Sequence, residues 1–177
     1  MGEDLPRHGA RAMNQTLSLQ KAFAGRRVLV TGHTGFKGAW LSLWLHDLGA
    51  IVSGYALASE KTSLYLNLGL DSLVASRLGD VRDAAALDAA VRVARPEVIF
   101  HLAAQPLVRA SYGDPKATFD TNVAGLVNLL EAVRKTPGVR VCQIVTTDKV
   151  YENQETGGAF REGDRLGGHD PYGTSKA

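Results

Sequence analysis

From Phe23 onward, short apolar runs alternate with stretches of helical periodicity. RRVLVTG, Arg26 to Gly32, is a β-branched apolar run stopped by glycine, the pattern of a buried strand. From Gly35 to Leu48 the residues Phe36, Ala39, Trp40, Leu43, Trp44 and Leu48 recur at helical spacing, which predicts a helix with both tryptophans in the core. Ile51 to Leu57 and Val74 to Leu78 read as a second and a third strand. Asp83 to Arg95 is an alanine-rich helix halted by Pro96, because proline disfavours the helical conformation in the residue before it. Glu97 to His101 predicts a fourth strand, Asp114 to Lys135 a long helix, and Val139 to Thr146 a fifth strand. At the end of the chain Asp170 can cap a further helix, and Pro171 suits its first position. Strands alternating with helices imply right-handed crossovers and a mostly parallel sheet covered on both faces. The expected fold is α/β, a doubly wound parallel sheet in one domain over 23–177.

Residues 1–22 have another texture: charges mixed with Pro6 and Gly9, without an apolar period. They read as a flexible leader rather than a signal peptide, which needs a continuous apolar core. The rest is globular in composition, 45% hydrophobic and 21% charged. Lys plus Arg is 20 against 18 acids, a formal charge of +2 with no basic block, so no nucleic acid partner is expected. No apolar run reaches the length of a membrane span. A lone Cys142 forms no internal disulfide and suits a reducing cytoplasm, the expected location. It reads as a small buried residue of the fifth strand. One cysteine and five scattered histidines show no ligand spacing, so no metal is expected.

Candidate chemistry begins at TGHTGFKG, with Gly32, Gly35 and Gly38 at the turn from first strand to first helix. Without a Cβ these positions let the backbone turn tightly and approach a pyrophosphate, which the helix N-terminus attracts. The acid that usually holds the adenosine ribose is displaced: Glu60 lies 28 residues after Gly32, where about 20 is usual. No arginine sits at the strand end to welcome a 2′-phosphate, which favours NAD over NADP. Tyr172 and Lys176, four apart, share a helix face, so the ammonium can help the phenol release its proton and act as a base. Thr146, Thr147, Asp148 and Lys149 close the fifth strand, at the end where open α/β sheets bind ligands. There an acid and a base side by side can divide proton transfers. Asp80 and Val81 after the third strand, and Leu102, Ala103, Ala104 and Gln105 after the fourth, occupy equivalent positions.

These segments together resemble the extended short-chain dehydrogenase/reductase family, over about Phe23 to Ala177. The resemblance is carried by VTGHTGFKGAWLSLWL, GDVRD, VIFHLAAQPLVRASYGDP, TNVAGLVNLLEAV, TTDKVYEN and GGHDPYGTSKA. Within the family it is strongest to the nucleotide-sugar 4,6-dehydratases, and Lys149, where the dTDP-glucose branch carries Glu, points to the branch acting on CDP-glucose. The resemblance implies a Rossmann-like fold with bound NAD. It implies Gly32, Thr34, Gly35, Phe36, Lys37 and Gly38 at the pyrophosphate, Asp80 and Val81 at the adenine, Leu102 to Gln105 beside the nicotinamide, and Thr121 on the cofactor side. Tyr172 is then the base that starts oxidation at carbon 4 of the sugar, and Lys176 binds the ribose and lowers the tyrosine pKa. Thr147 holds the carbon-4 oxygen, Asp148 is the acid on the departing hydroxyl, and Lys149 is the base at carbon 5. The implied reaction converts CDP-D-glucose to CDP-4-dehydro-6-deoxy-D-glucose and water, early in the synthesis of surface polysaccharides. Another nucleotide-sugar dehydratase, an epimerase, or an inactive cofactor-binding module stay open as alternatives. Five strands and an unfinished last helix, set against the family's length, imply truncation before the C-terminal substrate-binding part. The chain alone is therefore expected to be inactive, and the full-length form to be a homo-oligomer.

Overall fold

A computed structural model describes residues 17–152 and 157–177 of the chain. Five parallel strands form one sheet: β1 (Arg27–Thr31), β2 (Ile51–Ala56), β3 (Ala75–Leu78), β4 (Val98–His101) and β5 (Val141–Ile144). Their order is β3-β2-β1-β4-β5. The chain moves outward from β1 to β3, then crosses back to place β4 on the free side of β1. That reversal leaves a crevice at the carboxyl ends of β1 and β4, the position where such sheets take ligands.

The strands are where the apolar runs put them, and the register explains why the middle of β1, Val28 to Val30, is apolar on both faces. Val28 lies between Val52 and Val98, and Leu29 between Ser53 and Ile99. Successive side chains of a strand point to opposite faces, so a central strand is buried on both. Val28, Val30 and Val52 pack with Ala39 and Leu45 on one face. On the other, Leu29, Tyr55 and Ile99 pack with Leu87, Val91 and Leu129.

Helices fill the connections: α1 (17–23), α2 (Phe36–Asp47), α3 (Leu64–Asn67), α4 (Ala84–Ala94), α5 (Val108–Gly113), α6 (Pro115–Phe119), α7 (Gly125–Arg134) and α8 (Pro171–Lys176). Helix α1 occupies residues 17–22 of the expected leader, whose residues 1–16 lie outside the described ones. Asp83 caps α4 by accepting the Ala86 N–H, and the helix closes at Arg95, in the left-handed conformation (φ 43°) before Pro96. The long helix expected from Asp114 to Lys135 is two helices, joined by a π turn over Asp120–Ala124. Such turns insert an extra residue and re-aim the side chains around it.

The expectation that Trp40 and Trp44 belong to the core is corrected. They are 49% and 53% exposed, in line with Phe36 on the outer side of α2. The side facing the sheet carries Gly38, Ala39, Ser42 and Leu45. Small residues there let the helix approach closely, and the bulky ones are left outside. Because α2 is apolar nearly all round, its period could not distinguish the two sides. Cys142 is half-buried and packs toward the α4–α7 face.

Candidate active site

A cavity of about 500 Å³ runs along the carboxyl ends of the strands. Its lining gathers Gly32, Thr34, Gly35, Phe36, Lys37, Gly38, Asp80, Val81, Leu102, Ala103, Ala104, Thr121, Tyr172 and Lys176, which the sequence scatters over 145 positions. Gln105, Thr147, Asp148 and Lys149 are outside that lining. Thr146, a candidate at the end of the fifth strand, is in it, and so are Leu57, Arg82 and Val145, which the sequence did not single out.

The centre of the cavity is the loop from β1 to α2. Gly32 has φ 74°, and a Cβ on it would stand 2.8 Å from the Ala103 amide nitrogen, so both its conformation and its surroundings demand glycine. Helix α2 starts at Gly35 with no side-chain cap and no acid in its first turn, whereas α3, α4, α6 and α8 are all capped by side chains. Its first N–H groups therefore face the cavity with their hydrogen-bonding capacity and the positive end of the helix dipole unspent. An anion such as a dinucleotide pyrophosphate fits that arrangement. Thr34 Oγ1 donates to the Leu57 carbonyl at 2.9 Å and ties the loop to the end of β2.

At the far end, Asp170 accepts the Gly173 N–H at 2.8 Å and Pro171 opens α8. The helix is pinned from three sides. Tyr172 N–H donates to Ser111 Oγ at 3.2 Å, Thr146 Oγ1 donates to the Lys176 carbonyl at 3.2 Å, and Asn122 Nδ2 donates to Ser175 Oγ at 2.8 Å. Lys176 Nζ donates to the Val145 carbonyl at 3.1 Å, and burial pulls its ammonium pKa down. Asn122 lies in the π turn, 3% exposed, and its oxygen accepts the Gln105 N–H at 2.8 Å. Gln105 itself turns away from the cavity, donating to Thr118 Oγ1 at 2.9 Å. Its neighbour Thr121 drew attention in the sequence, but nothing local marks Asn122 as the strut between the β4 loop and α8.

Asp148 and Lys149 follow β5 in a single 3-10 turn (Asp148–Val150) and are exposed. Thr147 shapes that turn: its hydroxyl donates to Asp148 Oδ1 at 3.0 Å and accepts the Lys149 N–H at 3.3 Å. The turn packs directly on α8, since a Cβ on Gly173 would lie 2.8 Å from the Lys149 carbonyl oxygen. The acid and base candidates thus sit at the rim, beside the helix that carries Tyr172.

The family described as GDP-mannose 4,6 dehydratase matches residues 29–177. This chain belongs to that family. Among its relatives, the CDP-glucose 4,6-dehydratase of Salmonella typhimurium is 50% identical over 153 residues, 86% of this chain and 43% of that protein. The UDP-glucose 4-epimerase of Thermus thermophilus, solved in complex with NAD, superposes with a TM-score of 0.75 at 31% identity, covering 85% of this chain and 47% of that one. The epimerase Mth375 of Methanothermobacter thermautotrophicus gives a TM-score of 0.79 at 25% identity, over 92% and 47%. The chain spans less than half the length of each of these relatives.

In this member of the GDP-mannose 4,6 dehydratase family two histidines are buried beside the site. His33 Nε2 is 2.7 Å from Ser76 Oγ, and His101 Nδ1 is 2.7 Å from Thr31 Oγ1. Burial lowers His33 to about 4; burial, with the charge of Lys176, lowers His101 to about 4. In the unfolded chain both return to about 6.5. Between those values the unfolded state binds more protons than the folded one, so stability falls as the pH drops through that window. Urea unfolding midpoints are expected to be level above neutrality and to decline from about pH 6.5 toward 4. A decline confined to the carboxylate range below pH 4 would show that the histidines already carry charge in the fold.

Proposed function

We propose that this chain is the NAD-binding and catalytic portion of a nucleotide-sugar 4,6-dehydratase that converts CDP-D-glucose to CDP-4-dehydro-6-deoxy-D-glucose and water. One observation carries the reading: a single cavity joins the uncapped start of α2 to the Tyr172–Lys176 pair on α8. The half-identity to a CDP-glucose 4,6-dehydratase supports the choice of substrate.

On this reading the pyrophosphate of NAD lies on the first turn of α2, between Gly32, Thr34, Gly35 and Lys37, with Phe36 and Gly38 shaping the turn. Asp80 and Val81 hold the adenine, Leu102, Ala103 and Ala104 admit the flat nicotinamide, and Thr121 closes that side. Gln105 holds this loop in place by its bonds to Thr118 and Asn122. When bound, NAD supplies the acceptor that takes a hydride from carbon 4 of the sugar and returns it to carbon 6. Tyr172 takes the proton of the carbon-4 hydroxyl, and the Lys176 ammonium stabilises its phenolate. Thr147 orients the carbon-4 oxygen. Oxidation there makes the carbon-5 hydrogen acidic; Lys149 removes it while Asp148 protonates the hydroxyl leaving carbon 6, and a proton returns to carbon 5 as carbon 6 is reduced. No metal takes part in this scheme.

The test is incubation of CDP-glucose with NAD and a protein carrying this domain together with the remaining length of its relatives, in a reducing buffer. The expected product is the 4-keto-6-deoxy sugar nucleotide, recognised by mass and by its alkaline absorbance. A 4-epimer of unchanged mass would replace this reading by an epimerase. The 177 residues alone are expected to bind NAD without turning the sugar over.

A further inference from the structure

Tyr172 stands in the first turn of α8, where backbone N–H groups have no carbonyl of their own helix to bond. Those of α8 can be accounted for one by one. Pro171 has none. Gly173 donates to Asp170 Oδ1 at 2.8 Å and Thr174 to the Asp170 carbonyl at 2.9 Å, both within the local cap. The Tyr172 N–H goes to a different element: it donates to Ser111 Oγ at 3.2 Å. Among the described residues, the other ties from distant elements reach α8 further along, at Ser175 and Lys176.

Ser111 is fully buried on α5 and stands outside the cavity lining. Its own hydrogen is spent inside its helix, on the Val108 carbonyl at 2.7 Å, a local bond that serine hydroxyls often make. A lone pair is thereby left to accept from Tyr172. Helix α5 is fixed in turn to the wall formed by Leu102, Ala103 and Ala104. Gln105, which ends that wall, brackets the start of α5: its Oε1 accepts the Leu107 N–H at 2.6 Å and its Nε2 donates to the Leu107 carbonyl at 3.1 Å. A continuous frame therefore runs from Ala103 and Ala104 through Gln105 and α5 to Ser111, and ends on the backbone nitrogen of Tyr172.

We propose that Ser111 is a positioning residue for the oxidation at carbon 4: its hydroxyl sets where Tyr172 stands relative to the wall beside the nicotinamide. The proposal rests on the reading of Tyr172 as the base. In that step the carbon-4 hydroxyl gives its proton to the Tyr172 phenolate, the carbon–hydrogen bond gives its electron pair to the nicotinamide as hydride, and a ketone is left. The two acceptors lie on different elements, so their separation has to be held. A misplacement of about 1 Å costs about a hundredfold in rate. Alanine at position 111 removes the acceptor and leaves the Tyr172 N–H without a partner.

The test uses the protein that joins this domain to the remaining length of its relatives. Ser111→Ala is expected to lower kcat with CDP-glucose by about tenfold to a hundredfold. KM and the dissociation constant for NADH are expected to stay within about threefold of the parent. The first-turnover appearance of reduced nicotinamide slows by the same factor as kcat. Ser111→Cys, with a weaker acceptor in the same place, is expected to fall between the parent and Ser111→Ala. Urea unfolding checks that both fold. An unchanged kcat in folded Ser111→Ala overturns the proposal. A fall in kcat matched by an equal loss of NADH binding overturns it as well, because it assigns the hydroxyl to the fold of the cofactor wall. If Ser111→Ala does not fold, Ser111→Cys is judged by the same two criteria, and failure of both to fold reduces Ser111 to a structural residue and overturns the proposal. A parent protein that binds NADH and yields no 4-keto-6-deoxy product overturns the catalytic reading itself, and the proposal with it.

Discussion

Replacing Gly38 with alanine is expected to raise the dissociation constant for NADH by about a hundredfold or more and to lower folding stability by about 1–3 kcal/mol, the usual cost of overpacking. The added Cβ would stand 2.1 Å from the Gly32 carbonyl oxygen and 2.8 Å from His33 Cα. Both are backbone atoms of the glycine loop between β1 and α2, so relief requires pushing α2 away from the loop. The position differs from Gly32, whose positive φ is part of the demand; at Gly38 crowding alone decides. Gly35→Ala is the internal control, because its Cβ meets only the Gly32 oxygen, at 3.3 Å. A loss at position 38 with a much smaller one at 35 assigns the effect to the close approach of helix and loop. Calorimetry with NADH and urea unfolding read the two quantities. Binding by Gly38→Ala within about threefold of the parent would show that the loop yields without loss of the site.

The second large effect is expected at the rim. In a protein joining this domain to the remaining length of its relatives, Lys149→Ala is expected to cut formation of the 4-keto-6-deoxy product by about 10²–10⁴-fold, the range of a lost general base. NAD stays bound, because Lys149 is outside the cavity lining. Tyr172→Phe is expected to lose product to a similar degree but at an earlier point. With Lys149→Ala the sugar is oxidised and cannot lose water, so a reduced-nicotinamide signal builds up on addition of CDP-glucose. With Tyr172→Phe it does not build up. Undiminished product from Lys149→Ala would remove this side chain from the proton transfer at carbon 5.

Much of the fold was legible because each strand carries its own evidence: an apolar run, a stop, then a helix. The return of β4 to the side of β1 follows from the doubly wound pattern. What could not be read locally depended on tertiary neighbours. Helix α2 is apolar on nearly every side, and only its fit against the Gly32 loop decides that Gly38 and Ser42 face inward while Trp40 and Trp44 face out. The π turn at Asp120–Ala124 leaves no mark in a helical period that runs through it. The same division holds at the site. Gly32, Gly35, Gly38, Tyr172 and Lys176 follow from spacing. Thr31, whose hydroxyl accepts the N–H groups of Leu102 and Ala103 at 3.2 Å, and Asn122, which ties Gln105 to Ser175, act across 17 to 72 positions of sequence.

The outward stripe on α2 has an optical consequence. Trp40 and Trp44 are the chain's two tryptophans, and both ride on the helix whose first turn lines the cavity. At about 1.5 Å per residue they stand roughly 6 and 12 Å along the axis from Phe36 at that first turn. Indole emission overlaps the absorption band of a reduced nicotinamide, and such separations are short for resonance energy transfer. The molecule therefore carries its own pair of donors beside the place where an acceptor dye would sit, and filling of the crevice can be followed as a dimming of its ultraviolet glow without attaching a label.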